Sequence, residues 1–97
     1  MVKSTAKHSD SVESTRRLLV QIAKALVDDE QSVEVESEVE EGATCFRIRV
    51  GRSDVGKLIG KQGRTARSIR TVLGAASMKE GHRFTLDILQ EKSTNLE

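Results

Sequence analysis

Ninety-seven residues allow one small domain and leave little room for an enzyme with a deep pocket. Hydrophobic residues make up 36%, enough for a single core, and charged residues 32%, yet the formal net charge is only +1. Whole-chain charge therefore does not predict a polyanionic partner, but its distribution does. Asp28 to Glu41 holds eight acids and no base, whereas Arg47 to Arg70 holds eight bases against Asp54 alone. Such segregation gives a near-neutral protein a locally basic face. The single cysteine, Cys45, excludes an internal disulfide and any cysteine-cluster metal site. Two phenylalanines with no tryptophan or tyrosine exclude a surface that stacks bases on exposed aromatics. The polar start MVKSTAKHSDS has no apolar signal region, and no run approaches membrane-spanning length, so a cytoplasmic protein without a membrane partner is expected.

Residues 1–10 are polar without periodicity and are expected to form a mobile N-terminal tail. Asp10 followed by Glu13 has the spacing of a capping box, which places a helix start near Ser11. Leu19, Ile22, Ala23, Leu26 and Val27 then form an apolar stripe at helical spacing, expected to pack on a sheet. Asp28, Asp29 and Glu30 end this helix, because acids at a C-terminus oppose the dipole. Val33, Val35 and Val39 alternate with Glu34, Glu36, Glu38 and Glu40, the period of a half-buried strand.

After a turn at Glu41-Gly42-Ala43, Phe46, Ile48 and Val50 alternate with Cys45, Arg47 and Arg49. The two strands form an antiparallel hairpin with glutamates and arginines on one solvent face, which makes Arg47 and Arg49 cross-strand partners rather than ligands of a polyanion. Cys45 is a bystander thiol.

Gly51 to Asp54 is a turn in which Ser53 or Asp54 caps a short helix over Val55 to Ile59. The main helix runs from about Arg64 to Lys79 and is ended by Gly81. Gly74 lies inside it at a cost of about 1 kcal/mol relative to alanine, which suggests a close packing contact. His82 to Gln90 carries Phe84, Leu86 and Ile88 in alternation, a third strand, and residues 91–97 form a polar tail. One domain over 11–90 accounts for these elements, but the strand order does not follow from the sequence.

The stretch Asp54 to Leu73, DVGKLIGKQGRTARSIRTVL, carries the chemistry. Gly60-Lys61-Gln62-Gly63 is a turn between two helical patterns. Its glycines let the chain bend tightly and let another molecule's backbone come close. The turn leads into a helix, where unpaired N–H groups and the positive dipole end favour a phosphate. Lys57, Lys61, Arg64, Arg67 and Arg70 stand around it, the last three recurring every third residue. Arg70 is far enough along to be an ordinary solubilising residue.

Competing motifs fail on their own terms. Gly51 to Lys57 matches the first seven positions of a P-loop, but Leu58 stands where serine or threonine would hold magnesium. His8 and His82 lie far apart without ligand-like neighbours. The glutamates of 28–41 alternate along a strand instead of converging in a calcium loop. Ser11, Ser53 and Thr65 fit capping or turn roles, and no nucleophile–base pair stands out, so no enzyme is expected.

The run Val55 to Ala66 resembles the central motif of KH domains, the GXXG modules that clamp about four nucleotides of single-stranded nucleic acid. Element order and size resemble the bacterial single-KH-domain RNA-binding proteins of the KhpA type, over roughly Leu18 to Gln90. The resemblance implies an α+β, type II KH fold: a three-stranded sheet covered on one face by three helices, with the GXXG loop between the second and third. It implies non-catalytic binding of single-stranded RNA with no cofactor. Gly60, Lys61, Gln62, Gly63 and Arg64 would hold phosphates, Lys57 and Arg67 would extend the track, and Ile59 would line an aliphatic base groove. The resemblance further implies a homodimer, or a heterodimer with a larger KH-containing protein of the Jag (KhpB) type. It also implies RNA-chaperone and post-transcriptional roles linked to cell elongation, division and cell shape. The alternative is a protein–protein adaptor or dimerisation module, including a ribosome-assembly role, in which RNA binding is secondary.

Overall fold

The computed structural model describes residues 3–91. Helix α1 (Lys3–Leu26) is followed by strands β1 (Glu34–Glu40) and β2 (Ala43–Val50), helices α2 (Val55–Ile59) and α3 (Arg64–Glu80), and strand β3 (Arg83–Gln90). Short 3-10 turns cover 30–32, 52–54 and 61–63. The sheet order is β1-β2-β3, with β1 antiparallel and β3 parallel to β2. A parallel return needs a crossover, and here α2 and α3 supply it. All three helices therefore lie on one face: α1 over β1 and β2, α3 against β3, and α2 touching α1, α3 and β3.

The alternation in β2 explains the core. Thr44, Phe46, Ile48 and Val50 are buried under the helices, while Cys45, Arg47 and Arg49 face the other way. Phe46 meets Phe84 of β3 edge to face, with ring centroids 5.3 Å apart. Leu19 and Ala23 of α1, Val27 just after it, Leu58 of α2, and Ile69 and Leu73 of α3 close the cluster. The buried Thr44 hydroxyl is hydrogen-bonded to His82 Nε2 at 2.8 Å, and the imidazole packs edge to face on Phe84. Among the described residues no helix is long and apolar enough to cross a membrane.

Several sequence expectations need correction. α1 begins at Lys3, not near Ser11, so Asp10 lies inside the helix and Glu13 pairs with Arg16 (2.8 Å) and Arg17 (3.2 Å) instead of closing a capping box. The longer helix also buries Val12, seven residues before Leu19 on the same face. Leu26 is exposed although it belongs to the apolar stripe. Val39 is 63% exposed, because the distal half of β1 runs beyond the cover of the helices. Gly74 faces open space, and a Cβ there would meet nothing within 4 Å, so it marks no close packing. Beyond Glu91, the expected C-terminal tail lies outside the described residues.

Candidate nucleic-acid interface

The turn between α2 and α3 is fixed by backbone geometry. Gly60 N–H donates to Gly56 O (2.8 Å) to end α2, and Gly63 N–H donates to Gly60 O (3.0 Å) to close the turn. Gly60 has φ 79° and ψ 168°, a region open essentially to glycine alone. A Cβ there would lie 2.6 Å from Thr65 Cβ and 2.7 Å from Thr65 N. Gln62 (φ 57°, ψ 26°) and Gly63 (φ 75°, ψ 14°) are both left-handed. A Cβ on Gly63 would meet nothing within 4 Å, so here the constraint is conformational and the space in front of the turn is open. The chain enters the 17-residue α3 directly behind this turn, and no side chain caps the helix. The Arg64 N–H donates to Lys61 O within the turn, and the positive end of the helix dipole is left for an anion.

The predicted side chains divide into two groups. Lys61 and Gln62 are exposed on the turn, Arg64 follows with Nη2 3.3 Å from Gln62 Oε1, and Arg67 is exposed one turn further along α3. Ile59, 36% exposed, stands beside them at the end of α2. Lys57 belongs elsewhere. Its Nζ lies 3.4 Å from Asp28 Oδ2 and 3.5 Å from Asp54 Oδ1, and its pKa is raised, first by the contact with Asp28.

Asp54 is the centre of that second group. It sits before α2 without capping it, because its buried carboxylate accepts instead from the N–H groups of Asp28 and Asp29, each at 3.1 Å. These bonds, with Lys57, hold its pKa below the usual carboxylate range. Asp54 thus ties the end of α1 to the start of α2 and consumes the charge of Lys57. The sequence suggested a cap because aspartate precedes a helix; its partners 25 and 26 positions away were not legible locally.

A groove continues the site along α3. Ser77 Oγ accepts from Phe84 N–H at 2.7 Å, and Arg70 Nη2 donates to Leu86 O at 3.2 Å. The helix therefore runs antiparallel to β3, with its N-terminal turn toward the Ile88 end of the strand. Between them lies a shallow groove of about 260 Å³, lined by Arg70, Leu73, Arg83, Phe84, Thr85 and Leu86. Arg70 is the functional candidate that sequence reasoning set aside; its role needs the position of β3, which no local signal gave. Arg47 and Arg49 lie on the opposite face of the sheet, paired with Glu38 (2.6 Å) and Glu36 (3.5 Å) as expected.

A left-handed glycine turn between two helices on one side of this three-stranded sheet is the arrangement that the resemblance implies, and residues 16–88 match the family model of the KhpA/KhpB KH domain. The chain belongs to the KhpA/KhpB KH-domain family. It is similar to the RNA-binding protein KhpA of Borreliella burgdorferi, with 48% identity over 68 residues, 70% of this chain and 83% of the relative. It is also similar to the RNA-binding protein KhpA of Clostridium acetobutylicum, with 43% identity over 74 residues, 76% of this chain and 99% of the relative. The fold alone is shared with Era, solved in complex with MgGDPNP and nucleotides 1506–1542 of 16S ribosomal RNA; the TM-score is 0.51, identity is 16%, and 78% of this chain and 29% of that one are covered. The KhpA/KhpB match begins at residue 16, so the first thirteen residues of α1, 3–15, precede it.

Proposed function

We propose that this protein binds single-stranded RNA without catalysis. The side chains of Lys61 and Arg64, beside the Gly60 to Gly63 turn at the positive end of the α3 dipole, hold phosphates; Arg67 extends the track along α3, and Ile59 borders the aliphatic side of the site. The observation that carries this reading is the uncapped start of α3 behind a turn whose outer space is open. The names of the KhpA relatives support RNA as the polymer. In this reading Lys57 serves the α1–α2 junction more than the RNA, since two carboxylates already surround it. The binding unit runs from α1 through β3, acts in the cytoplasm, and serves post-transcriptional regulation linked to cell elongation and division.

A site for a few nucleotides gains useful affinity when two copies act together. The exposed apolar side chains Val72 (48%) and Met78 (85%) of α3 offer contact area for a second surface, in a homodimer or with a larger KH-containing partner of the Jag (KhpB) type. An adaptor in which this surface is primary is the competing reading. Fluorescence anisotropy with labelled single-stranded RNA, with light scattering on the same samples, separates the two. Lys61→Asp/Gln62→Asp places two negative charges where phosphate is held, and should abolish RNA binding while mass and thermal midpoint stay unchanged. Unchanged RNA affinity in that variant, or no binding by the wild type, would refute the clamp.

A further inference from the structure

The acidic run of 28–41, which the RNA-binding reading leaves unused, ends in β1, an edge strand of the sheet. Val50 O accepts from Glu91 N–H at 2.7 Å, so Val50 and, by alternation, the other even positions of β2 turn their backbone groups toward β3. The odd positions Ala43, Cys45, Arg47 and Arg49 turn theirs toward β1, opposite Glu40, Glu38, Glu36 and Glu34. The N–H and C=O groups of Val35, Ser37 and Val39 therefore point out of the sheet. Arg16 of α1 reaches the first of these, its Nη1 3.4 Å from Val35 O. No described residue hydrogen-bonds Ser37 or Val39 on that side. Their side chains share the helix-side face with the buried Val35, but the helices stop short, leaving Ser37 exposed and Val39 bare. The distal half of β1 is thus open both along its backbone and on its apolar side.

Charge selects what can lie there. On the outer face of the sheet Glu34, Glu36, Glu38 and Glu40 stand in one row. Arg49 and Arg47 meet Glu36 and Glu38, and among the described residues no base lies within ion-pairing distance of Glu34 or Glu40. A second copy of this edge would set glutamates against glutamates and be repelled. RNA would bring phosphates to carboxylates, with the same result. A strand of bases alternating with apolar residues meets every requirement. Positions opposite Glu36, Glu38 and Glu40 put bases on the outer face, and positions opposite Ser37 and Val39 put apolar side chains over the bare Val39.

We infer that the distal edge of β1, Glu36 to Glu40, is a docking site for an extended basic segment of another protein, which joins the sheet as an antiparallel strand beside β1. The inference does not rest on the RNA-binding reading.

The probe is a labelled, end-capped heptapeptide of alternating lysine and valine, read by fluorescence anisotropy. In the antiparallel pairing its valines lie opposite Ser37 and Val39, so valine N–H groups face β1 and lysine N–H groups face away. N-methylation of the lysine amides should leave binding unchanged, whereas N-methylation of the valine amides should weaken it roughly tenfold or more. Saturating peptide should slow hydrogen exchange at the Ser37 and Val39 amides and leave those of Glu36 and Glu38, already in the ladder with β2, as they were. Ser37→Pro removes an outward N–H that this ladder does not use, so the variant should melt near wild type and lose the peptide roughly tenfold. Glu34→Gln/Glu40→Gln keeps the edge intact and should weaken binding about threefold at low salt. Should Ser37→Pro unfold, the methylated peptides and the exchange pattern decide. No binding by the wild type would overturn the inference, as would equal affinity for the valine-methylated peptide, or a folded Ser37→Pro that binds as well as wild type.

Discussion

The two glycines of the turn are glycines for different reasons, and a pair of alanine substitutions separates them. At Gly60 a methyl group would be built 2.6 Å from Thr65 Cβ and 2.7 Å from Thr65 N, at φ 79° and ψ 168°. Backbone strain and forced overlap together cost about 2–5 kcal/mol. At Gly63 the new methyl would meet nothing within 4 Å, and only the left-handed φ of 75° opposes it. That penalty is about 1–2 kcal/mol. For a domain of this size each kcal/mol shifts the thermal midpoint by roughly 4–8 °C. Urea unfolding followed by circular dichroism should therefore place Gly60→Ala well below Gly63→Ala in stability, with both below wild type. Thr65→Ala should not rescue Gly60→Ala, because Thr65 N and a Cβ remain in the way. The reasoning is refuted if Gly60→Ala costs no more than Gly63→Ala, or if removing the threonine side chain restores the double variant.

Other consequences concern charge and the helix interior. The carboxylate of Asp54 has a lowered pKa in the fold, so it contributes stability above the ordinary aspartate range, and that stability is lost as pH falls through its folded value. Glu13 acts in the same direction, its pKa lowered from 4.5 to about 2 by the hydrogen bond from Arg16, although solvent screening keeps its contribution small. Thermal midpoints measured from neutral pH down to acid should decline for the wild type below the ordinary carboxylate range. Asp54→Asn should start on the order of 10 °C lower, because its amide cannot accept from both N–H groups, and should decline less steeply. Gly74→Ala should raise stability by about 0.5–1 kcal/mol, since the position is helical, exposed and surrounded by open space. A destabilised Gly74→Ala would mean that the outer face of α3 is covered.

What the sequence disclosed follows from the range of the forces involved. α2 and the extent of α3 were legible because their limits are local: Gly60 ends one, and Gly81 follows the other after an unbroken helical pattern. The glutamate–arginine face was legible because alternation and a short turn fix a hairpin register. The start of α1 was not, because 3–11 has no apolar periodicity and Asp10 with Glu13 imitates a start; the salt bridges of Glu13 run forward into the helix instead. Val39 looked like core because period-2 alternation reports which face a residue occupies and not whether anything covers it. The parallel pairing of β2 with β3 joins segments some forty residues apart, so the groove beside Arg70 could not be inferred.

Charge shows how a chain with sixteen bases and fifteen acids can present a small cationic site. Arg47 and Arg49 are matched by Glu38 and Glu36, Lys57 by Asp28 and Asp54, and Arg16 and Arg17 by Glu13. Among the described residues, no carboxylate lies within ion-pairing distance of Lys61, Arg64 or Arg67. Three uncompensated cations beside one open turn set the salt dependence of binding. Each phosphate neutralised on a single strand contributes about −0.7 to the slope of log Kobs against log salt, so the clamp should give a slope of roughly −2 per RNA site. Anisotropy titrations over a range of potassium chloride measure it. Lys61→Gln or Arg64→Gln should each make the slope shallower by about 0.7. Arg47→Gln should leave it unchanged, because that guanidinium faces away from the turn and is held by Glu38. A slope several times steeper, or one that Arg47→Gln reduces, would mean that the paired arginines leave their glutamates to meet RNA, and that the sheet face, not the turn, carries the electrostatic grip.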